Sequence, residues 1–273
     1  MSHSTDTLLF NQTNRFIASM QQLMRGIGKV SAHLHPQSLS ELFLQLETVT
    51  TPALLTKTVN SIQHQLWELP AKEQALNRKR LITTLSIHVL QGTSETLRLE
   101  AASWLRLLLQ AGLVTKPEEI FVTLVTATVH PRLEENKTSA VREQKALLHL
   151  IFQCFWPFRF PYPAYSWEAF PTNEVFYPLA PLLEQADSDM QDTLMSIFAE
   201  LPTLDDADIL EHLLPVTLQW SQHTDVERRR RVASLLARMN MGSAQEALGR
   251  LQVDTDPLVR ESAKSAAVYA RRA

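Results

Sequence analysis

Along most of the chain, apolar residues return every three or four positions, the spacing of one face of an α-helix. The segments Leu8–Arg25, Ser38–Val49, Pro52–Leu69, Ala71–Gln91, Ser94–Ala111 and Pro117–Val129 carry that spacing and predict six helices. The punctuation agrees. Gly26 and Gly28 follow the first segment, and Gly92 and Gly112 follow two others, where a helix ends easily. Pro52 and Pro117 stand where a helix begins. Alternating runs of Val, Ile and Thr are nearly absent, so the pattern predicts no sheet.

Further along, the pattern repeats at a larger scale. A short apolar helix, an acidic turn and a second helix recur three times. Phe176–Leu183 leads to a turn at Asp187, then to Leu194, Ile197 and Phe198. Ile209–Pro215 leads to Asp225, then to Val232, Leu235 and Leu236. Ala244–Leu251 leads to Asp254, then to Val259, Ala263, Ala266 and Ala267. Asp254 or Thr255 is expected to cap this last helix, with Pro257 in its first turn. Looser versions of the second helix lie upstream at Ser94–Arg98 and Ser139–Arg142. Counted from residues 98, 142, 191, 229 and 260, the intervals are 44, 49, 38 and 31, a divergent repeat.

The order helix, acidic turn and a helix opening on Val-Arg resembles the HEAT-repeat family, most clearly over residues 175–272. The resemblance implies an all-α fold, a HEAT-like right-handed helical-repeat solenoid (an alpha-alpha superhelix). On that basis residues 1–273 form a single helical-repeat domain. Residues 1–155 would be divergent helical pairs, 156–174 a loop and 175–273 three HEAT-like units. Arg229 or Arg230 best fills the family's arginine position.

One stretch breaks the helical pattern. Pro157, Pro161, Pro163 and Pro171 remove backbone donors and forbid a regular helix. Ten of the chain's 20 aromatic residues (11 Phe, 4 Tyr, 5 Trp) fall between Phe155 and Tyr177. That much apolar area must bury against something: the stack itself or a partner.

Charge and composition exclude more than they assign. The net charge is −3 and the pI about 6.3, which counts against a broad nucleic-acid footprint. Cys154 is the only cysteine, so no internal disulfide can form, and a reducing compartment fits. Met1–Phe10 has no signal-peptide pattern. The most apolar stretch, Ala146–Phe160, is short and is broken by His149, Gln153, Pro157 and Arg159, so no membrane span is expected. A cytoplasmic location follows as the expectation. His33 and His35 lack further ligands, and no glycine-rich phosphate loop or nucleophile elbow occurs, so neither metal, cofactor nor catalytic residue is assigned.

The expected function is therefore a non-enzymatic scaffold that holds another protein or a peptide on a helical-repeat surface. Trp156, Phe158, Arg159, Tyr162, Tyr165 and Trp167 in the loop are candidate contacts. So are Arg229, Arg230 and Arg260 on the second helices. Two alternatives stay open. Some alkylpurine DNA glycosylases share a HEAT-like architecture and bind nucleic acid through a basic face, which the pI disfavours here. HEAT-type bilin lyases handle a tetrapyrrole, which the aromatic segment permits.

Overall fold

A computed structural model describes residues 37–130, 137–158, 165–167, 170–202 and 207–270. The expected helix at Leu8–Arg25, with Gly26 and Gly28, lies outside the described residues. So do His33, His35, Arg159 and Tyr162.

The described residues form α-helices and no strand. In chain order the helices are α1 (Leu39–Thr48), α2 (Pro52–Glu68), α3 (Ala71–Gln91), α4 (Glu95–Gln110), α5 (Pro117–Val129) and α6 (Lys137–Cys154). After a short 3-10 turn at Trp156–Phe158 come α7 (Thr172–Leu179), α8 (Leu182–Gln185) and α9 (Ser188–Glu200). The series ends with α10 (Ala207–Ser221), α11 (Val226–Arg238), α12 (Gly242–Leu251) and α13 (Pro257–Ala270).

Local chemistry fixes many of these ends. Ser38 and Glu41 form a reciprocal capping box at α1. Thr51, Ser94, Asp187 and Asp225 accept backbone N–H groups at the starts of α2, α4, α9 and α11. Gly112 takes φ 67° after α4, a left-handed conformation that suits glycine. At α13 the cap is Asp256, not Asp254 or Thr255: its Oδ1 accepts from the N–H of Leu258 at 2.8 Å and of Val259 at 3.3 Å. The reason is local: the helix begins at Pro257, so Asp256 is the residue immediately before it, while the Asp254 carboxylate is held by Arg229. Helix α10 also continues past Pro215 to Ser221, since a proline removes one donor while buried Leu213, Thr217 and Trp220 hold that face to the core.

The helices pack as consecutive pairs in two layers. Helices α2, α4, α6, α9, α11 and α13 each touch the next in one layer. In the other layer α1, α3, α5 and α7 touch in turn, as do α10 and α12. Phe176 of α7 meets His212 of α10 with ring centroids 6.4 Å apart, which joins the two runs. This is the expected all-α helical-repeat fold. Its core is one continuous seam between the layers, from Leu46 and Ile62 through Leu105 and Leu148 to Phe198, Leu236 and Ala263. No described helix is long and apolar enough to cross a membrane.

Candidate functional site

The aromatic segment lies where α6 ends and α7 begins. Phe158 packs its ring 4.9 Å from Trp167, 5.4 Å from Tyr165, 5.5 Å from Phe170 and 5.9 Å from Phe121 of α5. Phe155 joins them, 5.2 Å from Phe121 and 5.1 Å from Phe170. These spacings are those of favourable tilted and edge-to-face ring pairs. The Tyr165 hydroxyl donates to the Leu109 carbonyl and accepts from the Val114 N–H, both at 3.3 Å. It thereby ties the segment to the α4–α5 turn. Burial pushes the Tyr165 phenol up to about 12 and the Cys154 thiol likewise to about 12, so both stay protonated and neutral near neutral pH.

The candidates in this segment separate by exposure. Phe158 is 4% exposed, Tyr165 is buried and Trp167 is partly buried against the core. Trp156 alone among the described rings of the loop turns outward, 50% exposed. The same segment thus has an inner face that plugs the stack and one large ring at its rim.

Of the arginine candidates, Arg229 bridges two neighbouring pairs. Arg229 donates from Nε and Nη2 to the two Asp254 oxygens at 2.8 and 3.0 Å, and from Nη1 to the carbonyls of His223 and Thr224. Arg260 repeats the second half, its Nη1 donating to the carbonyls of Asp254 and Thr255 at 2.7 and 2.9 Å. Arg229 and Arg260 therefore hold matching places in successive pairs. Arg230 turns to Glu227 of its own helix at 2.8 Å, an exposed pair. Arg228 packs over the Trp220 ring at 4.6 Å, with its Nε 3.0 Å from Asp192 of α9. Arg231 reaches Glu227 at 3.2 Å. The run of four arginines is thus divided among several partners and makes no single basic face.

The α4–α6 seam, whose pairing the sequence did not reveal, is the most densely hydrogen-bonded of the described ion-paired seams. Arg98 of α4 donates from Nε and Nη2 to both oxygens of Glu143 of α6, each at 2.6 Å, and from Nη1 to the Gly92 carbonyl at 2.9 Å. Beside it Arg142 donates twice to Glu95, at 2.7 and 2.5 Å, and Ser139 also bonds Glu95. Arg142 holds the Glu95 carboxyl down to about 2. Lys145 then bridges to Asp187 at 2.7 Å in the next unit. The signal available was a carboxylate about one repeat away from each arginine, Glu143 after Arg98 and Glu95 before Arg142, but the uneven repeat length hid it. Among the described residues no group of three or more His, Cys, Asp and Glu could hold a metal ion.

Comparison with known proteins adds little. No family model matches the chain, and no curated protein matches it. A crystal structure of an engineered protein is similar at 19% identity and a TM-score of 0.48, covering 86% of this chain and 97% of the other. A chain from a structure on microtubule plus-end tracking by XMAP215, CLIP-170 and EB1 is similar at 18% identity and a TM-score of 0.43, covering 84% and 89%. Neither likeness carries a functional argument.

Proposed function

We propose that this chain is a non-enzymatic scaffold that holds a protein or peptide partner, with Trp156 as an anchor at the rim of the aromatic plug. One observation carries this: a half-exposed Trp beside rings that are otherwise buried or partly buried. Trp is the residue type most enriched at the energetic centres of protein interfaces. Tyr165 and the packed rings tie the segment to the stack that would present it. Arg229 and Arg230, the basic candidates first considered for a partner, are engaged with Asp254 and Glu227, so no observation favours the nucleic-acid alternative over this one.

The test starts with partner capture from native extract by the immobilised protein, identification of the captured protein and titration of that protein in purified form. Trp156→Ala should stay folded, with unchanged helix signal, and bind the identified partner at least about thirty-fold more weakly. Equal affinity for both would remove Trp156 from the interface. A salt-sensitive shift of a labelled duplex, with no protein captured, would replace the scaffold with a nucleic-acid binder.

A further inference from the structure

A cation without a counter-ion stands behind the Trp156 rim. Arg106 of α4 is half-buried. It donates from Nη1 to Gln110 Oε1 at 2.9 Å, and its Nε is buried with no hydrogen-bond partner. Arg98, Arg142, Arg228 and Arg229 are each paired with a carboxylate of a neighbouring pair of helices. Arg106 has no ion pair among the described residues. A guanidinium that has lost part of its water and meets no anion is unfavourable until something neutralises it.

The register of the stack places this cation beside the rim. Pairing between α4 and α6 runs at intervals of 47, 45 and 43 residues, at Glu95–Arg142, Arg98–Glu143 and Gln110–Gln153. The last of these intervals sets Arg106 opposite His149, which is exposed. Gln110 carries the contact onward, its Nε2 donating to the Gln153 carbonyl at 3.3 Å in the last turn of α6. The Trp156–Phe158 turn follows and packs against both α4 and α6. The Arg106 charge is also felt at the Cys154 thiol, just before Trp156. Along this stretch the layer supplies no acid: α2 has none before Glu68, α4 none after Glu100, and α6 none after Glu143. Glu100 and Glu143 are already held, by Thr56 and by Arg98.

We infer that the partner segment held at Trp156 carries an acidic side chain, which pairs with Arg106 while an apolar neighbour packs on the Trp156 ring. The inference rests on the reading of Trp156 as an anchor and adds the chemistry of what it holds. Charge complementarity selects this occupant, because a carboxylate supplies the charge-assisted bonds that the stack leaves unmade. A phosphate backbone calls for a row of cations, whereas Lys145, the next one along α6, is engaged with Asp187.

The test is selection from a random-peptide phage library on the immobilised full chain. Wild type should enrich peptides with an Asp or Glu close to a bulky apolar residue. A synthetic copy of an enriched peptide is then titrated. Arg106→Gln should weaken it about tenfold or more, and Arg106→Lys, which keeps the charge, should weaken it less. Both variants should keep the helix signal of the wild type. Changing the peptide's acid to its amide should weaken binding to the wild type by a similar factor and add nothing in Arg106→Gln. The amide peptide on wild type alone still decides the matter if a variant misfolds. No enrichment, enriched peptides without an acid, or an amide peptide that binds wild type as well as its parent would overturn the inference. Peptides that lose affinity in Trp156→Ala but not in Arg106→Gln would strike the acidic contact and leave the Trp156 anchor standing. Peptides indifferent to both would strike both.

Discussion

Arg98 and Glu143 are 3% and 9% exposed at their side chains, and they share two short hydrogen bonds. A buried pair of this kind adds little net stability compared with an apolar pair, since both ions lose their water. Removing one partner is different, because the other charge stays buried without its bidentate counter-ion. Glu143→Ala should therefore destabilise the fold by about 3–5 kcal/mol, measured by urea unfolding. Glu95 gives a pH signature instead. Arg142 holds its carboxyl at about 2, below the ordinary 4.5. A folded-state value below the unfolded one adds stability that is present above about 4.5 and lost as pH falls towards 2. Glu95→Gln should flatten the fall of Tm across that window while leaving its slope above pH 5 unchanged. The arginines and the carboxylates were visible in the sequence as residue types. Their pairing was not, because partners 45 and 47 residues apart are brought together only by the stacking of α4 on α6.

At the scale of elements, the helices were largely legible. The segment Ser38–Val49 became Leu39–Thr48 with Ser38 as its cap, and Pro117 opens α5 as its position suggested. Ser and Thr caps, N-terminal prolines and glycine stops are local devices, so a local pattern reveals them. The aromatic stretch was legible only as an irregular, ring-rich connection. Whether its rings pack or face water depends on distant groups: Phe121, the Leu109 carbonyl and the Val114 N–H. Phe158→Ala should cost roughly 3–5 kcal/mol, as for other buried Phe truncations. Trp156→Ala, on the same turn, should cost less, about 1–2 kcal/mol, because half of its ring already lies in water. Thermal melts of the two variants side by side measure the contrast. A large loss at Trp156 would mean that its outward ring is structural as well.

Across the whole molecule, stability is passed from pair to pair through seams. Each seam combines apolar packing with a few charged contacts: Glu95–Arg142 and Arg98–Glu143, then Lys145–Asp187, Arg228–Asp192 and Arg229–Asp254. In such an array a weakened seam loosens the units beyond it before the rest unfolds. Asp254→Asn keeps the side-chain size but gives up the charge that Arg229 grips. Amide exchange should then quicken in α12 and α13 and stay near wild type in α2–α6. Uniform quickening would mean that the stack opens as one unit.

By itself the sequence determined the all-helical class, most helix ends, the paired-helix repeat and the site of the irregular aromatic segment. Each of these depends on residues near one another in the chain: apolar spacing of three to four, caps, prolines and glycines. Only the tertiary structure decided that Phe158 and Tyr165 face inward while Trp156 faces out. It also decided that Arg229 closes a seam by gripping Asp254. Those outcomes turn on contacts between units, and a divergent repeat with intervals from 31 to 49 residues gives no fixed register from which to read them.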